Sequence, residues 1–493
     1  MKREQTFSLV EKVARVSAPD EGHATMQAPD CRPAPHPPTP SPRGRGGALA
    51  IALMALFAFV PFAPPAFAQA AQAQVEEGVP VQRIVSPGGI EAWLVSDSTV
   101  PMIVLRAYWV GGAAIEPESL TGVTSVMADL MTEGAGEFDS NAFKERLEEL
   151  NMSLGFSGGW DGVAMSVTTL SENRDAAFEM ARLALTAPRF DAAPLERAKR
   201  QMLVGIRQRE TNPSYIANLA LDQALYPDHA YARRTQRENV DAVHRAALVD
   251  RAALLLARDR LRVTVVGDID AAALGGVLDH VFGALPARST LPAPPQAQLR
   301  PPTPLIVREL PQPQSLILFA APGIQDEDPD WIALAVANYI LGGGGFSSRL
   351  MAEVREARGL VYGIGTSPSV RDFSALIRGS AQTENGDVAQ AIDVTRAEIA
   401  RFYTGGATQA EVDDAITYLT GSFALDLDSN VKIASVVFGY QVAGRDITYI
   451  NHRNTLIRAV TMDDVNRVIR RLFNPDNFTF VVVGRPEGLA ATQ

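Results

Sequence analysis

Short blocks of alternating or continuous apolar residues along the chain are separated by stretches with helical spacing. "GIEAWLVSD" and "MIVLRAYWVGG" read as an opening pair of strands, and "TPLIVREL" with "SLILFAAPG" as a second pair further on. After each pair the pattern predicts two helices, then two alternating strands that include "GVAMSVTTL" in the first set and "SALIRGSAQ" in the second. Long helices and a closing strand follow. The closing segments match most clearly: "LVDRAALLLARDRLRVTVVGDID" reaches Gly267, and "MDDVNRVIRRLFNPDNFTFVVVGRPE" reaches Gly484, 217 positions on. Asp175 and Asp387 in "SENRDAAFEMARLALTA" and "TENGDVAQAIDVTRAEIA" are a second echo, 212 positions apart. Two copies of one unit are predicted. Strands and helices grouped in blocks predict an α+β fold of two homologous domains, each a mostly antiparallel sheet covered by helices on one face. The Pro-rich segment 285–303 reads as the linker, with domains over 76–284 and 304–490.

The N-terminus breaks this pattern. Arg43 and Arg45 precede an apolar run that ends in Ala66-Phe67-Ala68, and Pro61, Pro64 and Pro65 interrupt the run. A basic flank, a short apolar core and a small-x-small end predict a secretory signal peptide, with cleavage after Ala68 and residues 1–68 removed. The mature chain is then expected in a bacterial periplasm, with no membrane anchor. Cleavage also removes Cys31, the one cysteine, so neither a disulfide nor a thiolate centre is expected. Residues 1–68 carry 7 of the 45 basic and 5 of the 56 acidic residues, which takes the net charge from −11 to −13. Such an acidic chain is not expected to bind nucleic acid.

The most informative stretch is "LGGGGFSSRLMAEVREARGLVYGIG". Its glycines lack the Gly-Lys-Ser/Thr that a phosphate loop needs. The order Gly342 to Gly345, Ser348-Arg349-Leu350, then Arg355 and Tyr362 resembles the second domain of the pitrilysin/insulinase family of zinc metallopeptidases. "EGAGEFDSNAFKERLEELNMSLGFSGGWDGVAMSVTTL" and "LYPDHAYARRTQRENVDAV" are similar to its first domain, and the likeness runs over about residues 80–490. The resemblance implies half of a clamshell.

It also implies where zinc would sit. In that family a His-x-x-Glu-His helix supplies two ligands and a general base, and a distal Glu completes the set. Here "GVTSVMADL" places Ser125 and Asp129 at the histidine positions and Ala128 at the base, and the distal position falls near Gly205. His229, His244, His280 and His452, the histidines left after cleavage, contain no pair at helical spacing and read as surface or turn residues. No metal is expected in this chain, and no zinc peptidase activity from it alone. The resemblance instead gives Arg355 and Tyr362 the task of hydrogen-bonding the substrate backbone near the scissile carbonyl. It gives Gly343, Gly344 and Gly345 a part in substrate handling, and it gives an edge strand within Leu150–Gly162 the pairing with extended peptide. The expected protein is the non-catalytic partner of a His-x-x-Glu-His subunit that brings zinc, within a metalloendopeptidase that acts on unfolded peptides. A homodimer is the other assembly left open. The alternative is a peptide-binding or scaffolding protein of the same fold that takes no part in proteolysis.

Overall fold

The computed structural model describes residues 78–291 and 296–492. The signal peptide, its cleavage point and Cys31 lie outside the described residues.

In the first half, strands β1 (Gln82–Val85), β2 (Glu91–Ser96) and β3 (Met102–Val110) lead to helices α1 (Val123–Leu130) and α2 (Ser140–Glu149). Strands β4 (Ser153–Gly158) and β5 (Gly162–Leu170) come next. They are followed by α3 (Arg174–Thr186), α4 (Ala192–Arg209), α5 (Pro213–Leu225), α6 (Arg237–Ala242) and α7 (Arg245–Leu255). Strand β6 (Leu261–Gly267) and helix α8 (Ala271–Phe282) close this half. The second half repeats the plan with β7 (Leu305–Glu309), β8 (Gln314–Pro322), α9 (Trp331–Asn338), β9 (Gly363–Arg371) and β10 (Ser374–Glu384). Helices α10 (Val388–Gly405), α11 (Gln409–Gly421), α12 (Asn430–Val442), α13 (Tyr449–Arg458) and α14 (Met462–Leu472) precede the last strand, β11 (Thr479–Gly484).

The sheets are ordered β1-β2-β6-β3-β5-β4 and β7-β11-β8-β10-β9. All pairings are antiparallel except β2 with β6 and β7 with β11. The closing strands are thus inserted within the sheets, β6 between β2 and β3 and β11 between β7 and β8, and in β11 Thr479 to Gly484 show no exposed position. Local signals fix the helices. Asp139 caps α2 by accepting from the Asn141 and Ala142 amides. Thr408 with Glu411, and Thr461 with Asp464, close capping boxes on α11 and α14. On α14, Val465, Val468, Ile469 and Leu472 recur at helical spacing and are buried.

The α+β class and the two similar halves are as expected. One sheet face in each half is covered by that half's own helices, as on the first sheet where Ile103, Leu105, Ala107 and Trp109 of β3 pack among helices α1, α3 and α7. The one-face expectation leaves out the other side of the sheet. Trp93, Val95, Val104 and Val266 pack against Ala434, Val437 and Tyr440 of α12, a helix of the second half. Reciprocally, Ala217, Ala220, Leu221 and Leu225 of α5 pack on Ile306, Ala320, Val481 and Val483 of the second sheet. The exchanged helices are themselves 217 positions apart, Pro213 against Asn430. Each sheet is buried on both faces, so β3, β6 and β11 read as nearly continuous apolar runs and not as clean alternation. Each large side chain sealed this way stabilises the fold by roughly 1.5–3 kcal/mol.

Polar contacts fasten the same seam. The β9–β10 turn reaches into the first half, where Arg371 pairs with Asp222 at 3.1 Å and stacks over the Tyr231 ring at 4.5 Å. The Tyr231 hydroxyl donates to Asp161, and the Tyr226 hydroxyl shares a hydrogen bond with Ser374 Oγ. His229 belongs to this cluster. The sequence reads it as a surface or turn residue; it is buried at 9% exposure, packed edge-on to Tyr231, and its Nδ1 accepts from the Tyr231 amide. That hydrogen bond leaves the ring proton on Nε2.

Candidate functional site

Helix α1 is held by two groups outside it. Glu116 accepts from the amides of Gly122 at 2.7 Å and Thr124 at 2.6 Å, satisfying the start of the helix. Arg251 of α7 donates to Thr124 Oγ1 at 3.0 Å and to the Gly112 carbonyl at 2.7 Å. Burial lowers the Arg251 pKa, against the opposing pull of Glu116. Gly122 adopts φ +98°, and a Cβ there would meet Thr235 Oγ1 at 2.9 Å, so only glycine serves at this junction.

Val123, Val126, Met127 and Leu130 form the buried stripe. Ala128 is buried too, at 1% exposure, Ser125 is half-buried, and Asp129 is exposed. Asp129 reaches solvent, yet protein atoms crowd around it, and this desolvation raises its carboxyl to about 6. Gly205 lies on α4, which packs beside α1, and nothing lies within 4 Å of the Cβ it lacks. Edge strand β4 passes on the other side: a Cβ on Gly158 would meet the Thr124 carbonyl oxygen at 2.9 Å and the Ser125 nitrogen at 3.1 Å. The backbone of β4 therefore runs directly against helix α1, and among the described residues β4 pairs with β5 alone.

One carboxylate, one hydroxyl, one methyl and one hydrogen are a poor donor set for zinc, which takes imidazole, thiolate and carboxylate ligands. Among the described residues no three His, Cys, Asp or Glu side chains are grouped to hold a metal ion. Ser125, Ala128, Asp129 and Gly205 do not fit zinc.

The glycine-rich stretch does not end its helix in a simple turn. Helix α9 continues as a π-turn over Tyr339–Gly343, followed by a 3-10 turn over Gly345–Ser347. A Cβ on Gly342 would sit 2.5 Å from Thr366 Oγ1 of β9, and Gly345 adopts φ +56°. Side chains at Gly343 and Gly344 would collide with Asn338 and with the Tyr339 carbonyl. Packing thus accounts for Gly342, Gly343 and Gly344, and the positive φ for Gly345. Beneath them Asn338 Oδ1 and Thr366 Oγ1 are buried without a hydrogen-bond partner.

The two arginines of the motif have different environments. Arg349 is held by Glu411 through two bonds of 2.6 and 2.7 Å, donates to the Gly406 carbonyl and stacks over Phe402. Although burial opposes it, Arg349 and the Thr408 cap together hold Glu411 at about 2. Arg355, on a second π-turn over Met351–Glu356, has neither an ion pair nor a side-chain hydrogen bond among the described residues; its guanidinium lies 4.6 Å from the Phe346 ring centroid. Tyr362, just before β9, is 63% exposed, and only its backbone is bonded, to the Gln382 carbonyl. The sequence pattern singled out Arg355 and Tyr362 but carried no signal that Phe346 stands against Arg355.

A groove of about 940 Å³ elsewhere is lined by Glu118, Gln223, His229, Arg233 and Gln236 among others, and not by Ser125, Asp129, Arg355 or Tyr362.

Residues 243–419 match the family model described as the peptidase M16 inactive domain. A Helicobacter pylori protein described as a non-peptidase homolog, YmxG, is 24% identical over 388 residues, covering 78% of this chain and 89% of that one. A crystal structure of a peptidase M16 inactive domain from Pseudomonas fluorescens superposes with a TM-score of 0.78 at 27% identity, over 84% of this chain and 99% of that one. The periplasmic protease PqqL from Escherichia coli shares the fold, with a TM-score of 0.72 at 13% identity, over 83% of this chain and 45% of PqqL. The chain is thus similar in sequence and fold to inactive members of the M16, or pitrilysin/insulinase, family, and it lacks the His-x-x-Glu-His residues.

Proposed function

We propose that this chain is the non-catalytic subunit of a heterodimeric zinc metallopeptidase in the periplasm, which degrades or processes unfolded peptides. A homologous His-x-x-Glu-His subunit brings zinc, the ligands and the general base. This chain brings Arg355, Tyr362 and part of the chamber wall, with Gly343, Gly344 and Gly345 shaping the loop beside them. The observation that carries this reading is the unused hydrogen-bonding capacity of Arg355 and Tyr362, in a motif whose other arginine is fully engaged. A permanent cation with forked donors and a neutral hydroxyl suit a peptide carbonyl that gains negative charge during attack. The open edge of β4 supports the reading, since an extended peptide can add to it by backbone pairing alone.

The test is co-expression with a His-x-x-Glu-His homologue, followed by metal analysis and cleavage of an unstructured peptide. We expect stoichiometric zinc and cleavage from the pair, and neither from this chain alone. Zinc and cleavage from this chain alone would overturn the proposal. A second reading, peptide binding without proteolysis, draws support from the non-peptidase description of the Helicobacter pylori relative. It predicts peptide binding by this chain and no gain in cleavage when a partner is added.

A further inference from the structure

Phe346 is 63% exposed on a turn that is rigid for its length. Ser348 is fully buried; its hydroxyl donates to the Gly345 carbonyl at 2.7 Å, and its amide donates to the same carbonyl at 3.0 Å. The Ser347 amide donates to the Gly344 carbonyl. Gly345, at φ +56° with no atom within 4 Å of its absent Cβ, turns the chain so that Phe346 projects outward. An aromatic side chain held this way contributes little to the core. What it touches is Arg355, whose own turn is anchored by buried Met351 and Val354.

We infer that Phe346 is a positioning residue for Arg355, and that its exposed face selects peptides with an apolar side chain beside the carbonyl that Arg355 binds. The inference rests on the proposed role of Arg355. A guanidinium over an aromatic face is drawn to the negative face of the ring, and its N–H donors remain free. An Arg with no acid partner would otherwise sample many rotamers. Phe346 restricts that freedom without consuming a donor, which an Asp or Glu partner would do. In an extended peptide the side chain next to the bound carbonyl is then brought toward the remaining ring surface, where apolar contact is favoured.

The test uses the full mature chain and two fluorescein-labelled unstructured peptides, one with Leu and one with Ser at the variable position. Binding is read by anisotropy, and Arg355 Nε–H by its NMR ring-current shift. Phe346→Tyr should keep the shift and the preference for Leu. Phe346→Leu, apolar but without a π face, should lose the shift and weaken binding of both peptides by about three- to five-fold. Phe346→Ala should also abolish the preference for the Leu peptide. If Phe346→Leu keeps wild-type binding while Arg355→Ala weakens it, the inference fails and the role of Arg355 stands. If Arg355→Ala binds both peptides as well as wild type, or wild type binds neither, the role of Arg355 fails and the inference falls with it. Unchanged melting temperatures would exclude misfolding of these exposed-site variants.

Discussion

In the first half, the helix after the opening strands is amphipathic, and its polar side carries half-buried Ser125 and exposed Asp129. In the second half, the corresponding helix Trp331–Asn338 is buried at every position and runs on through a π-turn to exposed Phe346. Edge strands differ in the same sense. Both β4 and β9 are edge strands with a neighbouring element packed on them, at Gly158 and at Thr366, but only β9 carries a proline mid-strand, Pro368. A proline lacks the N–H that an added strand would need. One duplicated unit has therefore become two surfaces. The first presents a carboxylate and a hydroxyl on an amphipathic helix. The second presents the hydrogen-bond donors of Arg355 and Tyr362.

The strongest way to break this comparison is through the exchanged helices. Leu221 and Phe438 are 217 positions apart, are both essentially fully buried, and each seals the other half's sheet. Leu221→Ala is expected to cost about 2–5 kcal/mol and Phe438→Ala about 3–5 kcal/mol. Because each helix serves both halves, each variant should lower a single melting transition. Two transitions in calorimetry would show that the halves fold independently.

A second test contrasts the motif's two arginines. Arg349→Ala leaves Glu411 without its ion-pair partner, and Glu398 with Arg401 alone, and should cost about 3 kcal/mol in urea unfolding. Arg355→Ala should stay within about 0.5 kcal/mol of wild type, since it breaks no ion pair. Equal losses would mean that Arg355 is as structural as Arg349.

Smaller effects are expected at Gly205 and Asp129. Gly205→Ala fills open space in a helix interior and should stabilise by about 0.5–1 kcal/mol. Asp129 titrates at about 6 in the fold against an ordinary value of 3.8, so the folded chain holds this proton more tightly than the unfolded chain. Its charged form weakens the fold increasingly as pH rises between those values. Asp129→Asn should therefore raise the melting temperature by about one or two degrees at pH 7.5 and leave it unchanged near pH 4. A gain of the same size at both pH values would show that desolvation of the charge is not the cause.

Periodicity was enough to make the α+β class, the duplication and the strand pairs legible, because they rest on local alternation. The reciprocal helices were harder. "PSYIANLALDQAL" and "NVKIASVVFGYQV" are apolar around much of their circumference, a signature of burial between two layers, but periodicity does not say whose sheet they cover. Ser125, Ala128 and Asp129 could be placed only by likeness to a motif they no longer match. The contact of Phe346 with Arg355 depends on two π-turns, which no residue pattern in the stretch announces. His229 does lie in a turn, but its residues, "YPDHAY", gave no sign of the aromatic cluster from both halves that buries it.

The measurement closest to the central claim is peptide hydrolysis by the pair of chains carrying Arg355→Ala with Tyr362→Phe in this subunit. Zinc content and melting temperature should match the wild-type pair. We expect kcat to fall by about 100-fold or more, the loss typical when a donor to a developing oxyanion is removed. An unchanged kcat in a zinc-loaded, stably assembled pair would contradict the account.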